Sequence, residues 1–463
     1  MNRFVNLASI GQTVFIKGDL NITEQGERMR DDVAIYKSKL ISIEEAVNKI
    51  ESNMEIVVSQ GCEPQGCMSR FHTVAHRVEN VKVFSVLTFR GYEFFTNPEM
   101  KGHFELCSWF HGGGARAGLA AKSGAVHFVP NLLHNIATGH NEARKTNIFF
   151  GSCTPPDKHG FVCFGLGTSY EKDIFEKADL VILEVSPTLP RIFGDVEVHV
   201  KDVDFFVENE IDLPVIPKKI PGDIDLQIGS IIAELVDNES TLQLGIGEIP
   251  NAVAHALTGK KDLGIHTEMI TDSMMDLYEM GVITNKKKAF YKDKFIATFV
   301  FGSRQLYDWV DNNVAIRFFR GPWVNHPSIL RQNSKMVSIN TCMMVDFYGQ
   351  VYSEGIGFKQ YSGPGGQFDT AMGARQGIDG LGKSIIACPS TAKDGAMSTI
   401  VPFAPTGTPV TLHRGITDYV VTEYGAAWLR GRSVPERTLA LINIAHPNFR
   451  NQLMEEAKKY GFI

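Results

Sequence analysis

Glu268 closes the stretch Gly264-Ile265-His266-Thr267-Glu268-Met269, an apolar strand pattern that gives way to a helical one from Met274. A carboxylate at the C-terminal edge of a parallel sheet faces a crevice. It can serve there as a nucleophile, a ribose ligand, a general base or simply a charge at the next helix N-terminus. A second stretch, Gln243-Leu244-Gly245-Ile246-Gly247-Glu248-Ile249-Pro250, links a strand to a helix through two glycines and so offers backbone N–H groups to an anion. With Glu268 about 20 residues downstream it approaches a dinucleotide fingerprint. Pro250, however, occupies the place of the third glycine, which helix–strand packing needs. A plain strand–helix turn is the alternative. A third stretch, Gly355-Ile356-Gly357 with Ser362 to Asp369, concentrates five glycines and Pro364, more than one β-turn requires, where backbone can approach a ligand closely. Lys393, in Ser390-Thr391-Ala392-Lys393-Asp394-Gly395, supplies a cation or a solvated surface charge, and Arg116, after Gly112-Gly113-Gly114, an anion grip or an exposed loop charge.

Several chemistries lose their support. The histidines form no His-Glu-x-x-His; His134 and His140 are six apart and share no helical face. There is no Gly-x-Ser-x-Gly elbow. The seven cysteines are odd in number and scattered, and the close pair Cys62 and Cys67 has no second pair to complete a zinc site, so reduced thiols and no structural metal are expected.

The elements that must position these residues read as alternating strands and helices. Ser42 and Glu45 form a capping box ahead of Ala46, Val47 and Ile50. Strand patterns follow at Ile56 to Val58, Val81 to Phe89, Ile148 to Gly151 and Leu180 to Val185, with helical patterns between most of them, as a parallel sheet requires. Asp212 to Asp225, with three prolines and a glycine, breaks the pattern and reads as a linker. Beyond it come a helix over 224–235, a strand over 241–244, helices over 249–257 and 274–280, strands at 295–301, 314–319 and 384–387, and two short strands within 336–346. The fold class expected is α/β, two related open α/β domains with mainly parallel sheets, 1–218 and 219–463, and an active site in the cleft between them. A formal charge of -6, from 46 Lys and Arg against 52 Asp and Glu, gives no footprint for nucleic acid or an anionic membrane. No apolar run nears the roughly 18 residues of a membrane span, and Met1 to Lys17 lacks a signal-like apolar core, so a cytoplasmic protein with small-molecule partners is expected.

Read jointly, the segments resemble the acetyl-CoA hydrolase/transferase family of class I CoA-transferases, in particular its 4-hydroxybutyrate and butyrate CoA-transferase branch. The resemblance spans almost the whole chain. It is carried by Thr154 to Phe161, Ala178 to Val185 with Pro190-Arg191 and Gly194, Gln243 to Gly247, Gly264 to Met269, Ser338 to Thr341, Val345-Asp346 with Gly349 to Val351, Gly363 to Asp369 and Ser398 to Pro402.

The resemblance implies that Glu268 is the nucleophile, that the Gly366 amide is an oxyanion donor, and that Gln243, Leu244, Gly245, Ile246, Gly247, Met343, Ser362, Gly363, Gly366 and Lys393 bind CoA. A carboxylate attacking a thioester gives a mixed anhydride and CoA thiolate, and the thiolate then takes the glutamyl carbonyl. Transfer from a short-chain acyl-CoA to a carboxylate such as acetate follows in ping-pong order, with no permanently bound cofactor and no metal. A homodimer or dimer-based assembly is also implied. Glu248 departs from the family pattern, which has a small or neutral residue there. An acyl-CoA hydrolase using the same glutamate is the nearest alternative; an NAD-dependent oxidoreductase and a non-catalytic CoA-binding protein are more distant ones.

Overall fold

The computed structural model describes residues 32–463. Its first half is built on a seven-stranded parallel sheet: β1 (Glu55–Val58), β2 (Val81–Val86), β3 (Phe104–Phe110), β4 (Val126–Phe128), β5 (Ile148–Cys153), β6 (Leu180–Val185) and β7 (Phe205–Glu208). They lie in the order β4-β3-β2-β1-β5-β6-β7. Ile56 is registered between Val83 and Ile148. Both faces are buried: Ile56, Val58, Phe150 and Ile182 pack with Phe71 and Phe94 on one side, and Val57, Phe84, Phe149 and Leu183 with Trp109 and Tyr170 on the other. Two-sided burial is why these strands read as continuous rather than alternating apolar runs. The capping box ahead of β1 is present, with Glu45 N–H donating to Ser42 Oγ at 3.1 Å and Ser42 N–H to Glu45 Oε2 at 2.8 Å.

Residues 209–222 form no helix or strand, and a helix, Asp223–Leu235, then leads into the second sheet. Its strands are β8 (Thr241–Leu244), β9 (Gly264–Ile265), β10 (Met336–Thr341), β11 (Lys383–Ala387), β12 (Tyr419–Thr422) and β13 (Gly425–Trp428), in the order β9-β8-β10-β11-β12-β13. All neighbours are parallel except β12 and β13. In each sheet the order reverses once, beside β1 in the first and between β8 and β10 in the second, and such switch points open a crevice at the strand C-termini. The two halves of the chain are joined by a shared apolar core in which Leu166, Leu189 and Ile192 pack with Leu244, Ile265 and Ile339. All seven cysteines are free thiols, as expected.

One expected strand divides. Phe295 to Phe301 is two strands in separate two-stranded sheets: Phe295–Ala297 pairs with Ile316–Phe318, and Phe299–Val300 with Met269–Ile270. The strand expected at 264–267 likewise stops at Ile265. Both breaks have one cause. Thr298 and Phe299 donate their N–H groups to the Glu268 carbonyl at 3.0 Å each, so both chains kink where the carboxylate must leave the sheet.

Candidate active site

Glu268 sits between β9 and the strand Met269–Ile270. Its carbonyl is pinned from behind, and its side chain turns into the space between the two sheets. Asn325 Nδ2 donates to Glu268 Oε2 at 3.0 Å, and the Gly366 N–H also hydrogen-bonds to the carboxylate. Burial pushes the Glu268 carboxyl up to about 7, with the nearby Asp369 charge adding to the rise, while the Asn325 and Gly366 donors favour the ionised form. The group is therefore poised near neutrality, where a carboxylate nucleophile is available without being heavily stabilised.

Asn325 ends the short helix Gly321–Val324 and is itself held in place. Its neighbour Val324 accepts a hydrogen bond at 2.9 Å from His266 Nε2, and Asn333 Nδ2 donates to His266 Nδ1 at 3.2 Å. Burial lowers the His266 pKa to about 3, so the ring is neutral and donates through Nε2 alone. His266 thus places, two residues before Glu268, the segment that brings the Asn325 amide onto it.

Gly366 caps the helix Gln367–Arg375. A Cβ on Gly366 would overlap Glu268 Oε2 and Asn325 Nδ2, so only bare backbone can approach the carboxylate there. The loop before it is clamped by the first half of the chain. His111 N–H donates to Ser362 O at 3.3 Å, Leu133 N–H to Gly365 O at 3.2 Å and His134 N–H to Asp369 Oδ2 at 3.0 Å. His134 Nδ1 also lies 2.8 Å from Asp369 Oδ1, and that carboxylate raises the imidazole pKa. Arg116 Nη1 donates to the carbonyls of His111 and Tyr361 at 2.8 and 3.3 Å, which ties the loop after β3 to the second half.

A cavity of about 130 Å3 opens on Glu268. Val86, Trp109, Leu133, Ile136 and Gln60 line it from the first half, and Ile246, Met269, Phe299 and Gly365 from the second. Ile246 also lines a larger, mainly apolar groove of about 430 Å3 between residues 216–221 and the helices Glu248–Ala256 and Asp272–Glu279.

The residues expected from sequence are distributed around this point. Glu268 and Ile246 line the cavity, and Gly366 lies against the Glu268 carboxylate. Gly245 and Gly247 form the turn after β8, where Gly247 at φ 127° needs glycine. Leu244 is buried in the core, leaving only its backbone for a ligand. Gln243 lies beneath the switch point, its Oε1 accepting from Ser338 Oγ at 2.9 Å, and Ser338 in turn bonds Thr370 Oγ1 at 2.9 Å. Gly363 is required by the protein itself, since a Cβ there would meet the Trp109 carbonyl at 2.6 Å. Met343 is half-buried just past β10, its N–H on Tyr352 O at 2.8 Å. Lys393 is exposed on the hairpin joining Thr391–Ala392 to Met397–Ser398 and is not among the residues lining the Glu268 cavity. Glu248 does not crowd the glycine turn, because Lys219 Nζ holds its carboxylate at 2.6 Å. Asn325, His266, His134 and Gln60 were not found from sequence; isolated polar residues carry no pattern that separates them from surface ones. Among the described residues no cluster of His, Cys, Asp and Glu could hold a metal ion, and no helix is long and apolar enough to cross a membrane.

Comparison with known proteins defines the class. Residues 23–217 match the acetyl-CoA hydrolase/transferase N-terminal domain, and residues 302–457 match the C-terminal domain of the same family. The chain belongs to this family. It is 41% identical, over 92% of its own length and 98% of the relative's, to the 4-hydroxybutyrate coenzyme A transferase of Clostridium kluyveri. Among solved structures it is similar to RipA from Yersinia pestis, with a TM-score of 0.88, 33% identity and coverage of 94% of this chain and 100% of that one. It is also similar to a 4-hydroxybutyrate CoA-transferase from Porphyromonas gingivalis, with a TM-score of 0.78, 33% identity and coverage of 92% and 99%. The protein is an enzyme, a CoA-transferase. Glu268 falls between the two matched domain segments, so its role rests on the geometry above.

Proposed function

We propose that this enzyme moves CoA from a short-chain acyl-CoA, such as 4-hydroxybutyryl-, butyryl- or acetyl-CoA, to a carboxylate such as acetate, through a glutamyl-CoA thioester on Glu268. The observation that carries this reading is a carboxylate poised near neutrality, with two N–H donors on it, opening onto a small apolar cavity. A water takes roughly 30 Å3 of liquid, so about 130 Å3 suits a short acyl group rather than a long chain.

The ionised Glu268 attacks the thioester carbonyl, the C–S bond breaks, and a mixed anhydride and CoA thiolate result. The thiolate adds to the glutamyl carbonyl, expels the acyl group as its carboxylate and leaves CoA on Glu268. An incoming carboxylate reverses both steps. Additions at the glutamyl carbonyl place negative charge on an oxygen derived from the Glu268 carboxylate, within reach of Asn325 Nδ2 and the Gly366 N–H. Donors already aimed at that charge need no reorganisation when it forms. Binding along Gln243 to Gly247, Met343, Ser362, Gly363 and Lys393 holds the rest of CoA, and this remote binding energy can be applied at the thioester. The division at 218/219 separates the half that closes the acyl cavity from the half that carries the nucleophile. The active enzyme is a cytoplasmic dimer or dimer-based oligomer.

Intact mass spectrometry after incubation with acyl-CoA tests the chemistry. A CoA-sized adduct on Glu268, absent in Glu268→Ala, is expected; turnover without an adduct, with the rate kept in Glu268→Ala, refutes the nucleophile assignment. Thioester loss at the same rate with and without acetate would identify a hydrolase instead.

A further inference from the structure

Two of the free thiols meet at the C-terminal edge of the second sheet, on strands whose continuations lead into the proposed CoA contacts. Thr341 of β10 and Ala387 of β11 are registered opposite each other, and Cys342 and Cys388 are the next residue of each chain. The ladder continues to them, with Cys342 N–H donating to Ala387 O at 3.1 Å. Side chains opposite each other on parallel neighbours leave the sheet on one face. Such strands lie about 4.8 Å apart, within the roughly 4.4–6.8 Å between Cα atoms that a disulfide bridges. The two thiols are hydrogen-bonded to each other. Cys388 is buried and Cys342 half-buried, so the pair is reached from the Cys342 side. Of the other thiols, Cys62 and Cys163 donate to the carbonyls of Phe164 and Ile192 at 3.7 and 3.3 Å, and Cys67 bonds the Glu184 carboxylate.

We propose that Cys342 and Cys388 are an oxidative modification site, at which hydrogen peroxide converts the two thiols to a disulfide that weakens acyl-CoA binding. A thiolate of the pair attacks a peroxide oxygen, the O–O bond breaks, and the leaving hydroxide takes a proton, giving a sulfenic acid and water. The second sulfur attacks the sulfenic sulfur, forms the S–S bond and releases a second water. The two thiols together lose two electrons, and one peroxide is reduced. Contact between the thiols assists the first step, because the Cys342 S–H, helped by the Thr399 hydroxyl, holds the Cys388 thiol below its ordinary pKa. The consequence for activity rests on the reading of Met343 and Lys393 as CoA contacts. Met343 directly follows Cys342, and the hairpin that carries Lys393 begins at Thr391, just after Cys388. Its return strand closes back on the pair through Thr399, whose Oγ1 lies 3.7 Å from Cys388 Sγ. Thr341 O accepts from Gln367 Nε2 at 3.4 Å, so the same strand end touches the helix that Gly366 caps. A disulfide holds its sulfurs closer than a hydrogen bond does, which moves these strand ends by on the order of 1 Å. A misplacement of that size costs about a hundredfold in rate.

The test treats the reduced enzyme with hydrogen peroxide, maps its peptides by mass and measures initial rates with acetyl-CoA. Wild type is expected to yield the Cys342–Cys388 disulfide and to lose about ten- to a hundredfold in kcat/KM, with dithiothreitol reversing both. Cys342→Ser and Cys388→Ala are expected to turn over as reduced wild type does and to keep that rate after peroxide. Glu268→Ala gives a readout free of turnover. Its calorimetric affinity for acetyl-CoA, a thioester without the free thiol that would reduce the bridge, should fall about tenfold or more on oxidation. Absence of the disulfide overturns the proposal, as does a mapped disulfide with unchanged kcat/KM and affinity, or peroxide inactivation that persists in both single variants. Absence of a Glu268 adduct in reduced wild type overturns the acyl-transfer chemistry instead, and the affinity measurement then still decides on the disulfide.

Discussion

Asn325→Ala removes the side-chain donor on the Glu268 carboxylate, which sits 3.0 Å from Oε2. Two effects follow. A hydrogen bond to a charged group contributes about 1.5–3 kcal/mol. The donor favours the ionised form, so its loss favours the protonated one. At 1.36 kcal/mol per pH unit, the midpoint for Glu268 ionisation should rise by about one to two pH units from its present value of about 7. At neutral pH this alone removes about four-fifths or more of the active carboxylate. Above the new midpoint that deficit disappears, but the missing oxyanion donor remains and costs about 10²–10³ in rate. The measurement is the single-turnover rate of Glu268–CoA adduct formation, by rapid quench and intact mass, across the neutral and mildly alkaline range. Wild type should rise through a midpoint near 7, and the variant should rise later, to a plateau lower by the oxyanion term. A variant within about threefold of wild type at its plateau, well short of the expected loss, would refute the reasoning, and so would an unchanged or lower midpoint.

Three further outcomes are expected. Gly366→Ala should fold with near wild-type thermal stability yet form little adduct, because its Cβ overlaps the Glu268 and Asn325 side chains; an adduct rate close to wild type would count against the bare-backbone requirement. His134→Asn leaves Asp369 without its imidazole partner beside Glu268, so the Glu268 midpoint should move upward in the same adduct assay; a downward move would contradict the Asp369 effect. Glu63 is buried, accepts from Phe89 N–H and Tyr92 Oη at 2.7 Å each, and is raised by burial from an ordinary 4.5 to about 7. Its protonated form contributes stability that is whole below about 4.5 and lost as pH rises through about 7, on the order of 3 kcal/mol. Urea unfolding of Glu63→Gln should show a flatter pH dependence across that window, and a slope unchanged from wild type would sink the assignment.

Much of the scaffold was legible because it is local. The capping box at Ser42, the β-branched runs of β1, β2, β5 and β6, and the break read at 212–225 each follow from residues a few positions apart. So does the placing of Glu268 at a strand end, and the family resemblance turned that position into a nucleophile. The glycine clusters were also visible, although their separate reasons were not. Gly363 is demanded by the Trp109 backbone and Gly366 by the Glu268 and Asn325 side chains, distinctions that appear only once the two sheets are docked.

The sequence by itself determined a doubly parallel α/β chain with a carboxylate at a crevice and bare backbone available nearby. Tertiary structure decided which side chains act on that carboxylate. Asn325 is 57 residues from Glu268, and His134 is 235 from Asp369. Periodicity reports which face of an element is buried, and nothing about which polar groups on distant elements will meet. The same holds for Gln60, an ordinary polar residue after a strand in the sequence. Only closure of the two halves around one cavity makes it a buried amide without a hydrogen-bond partner among the described residues. Desolvation then gives it, like Glu268, a property absent from the isolated chain, because the cost of an unpaired polar group and the rise of a carboxyl pKa both come from the surroundings that folding builds.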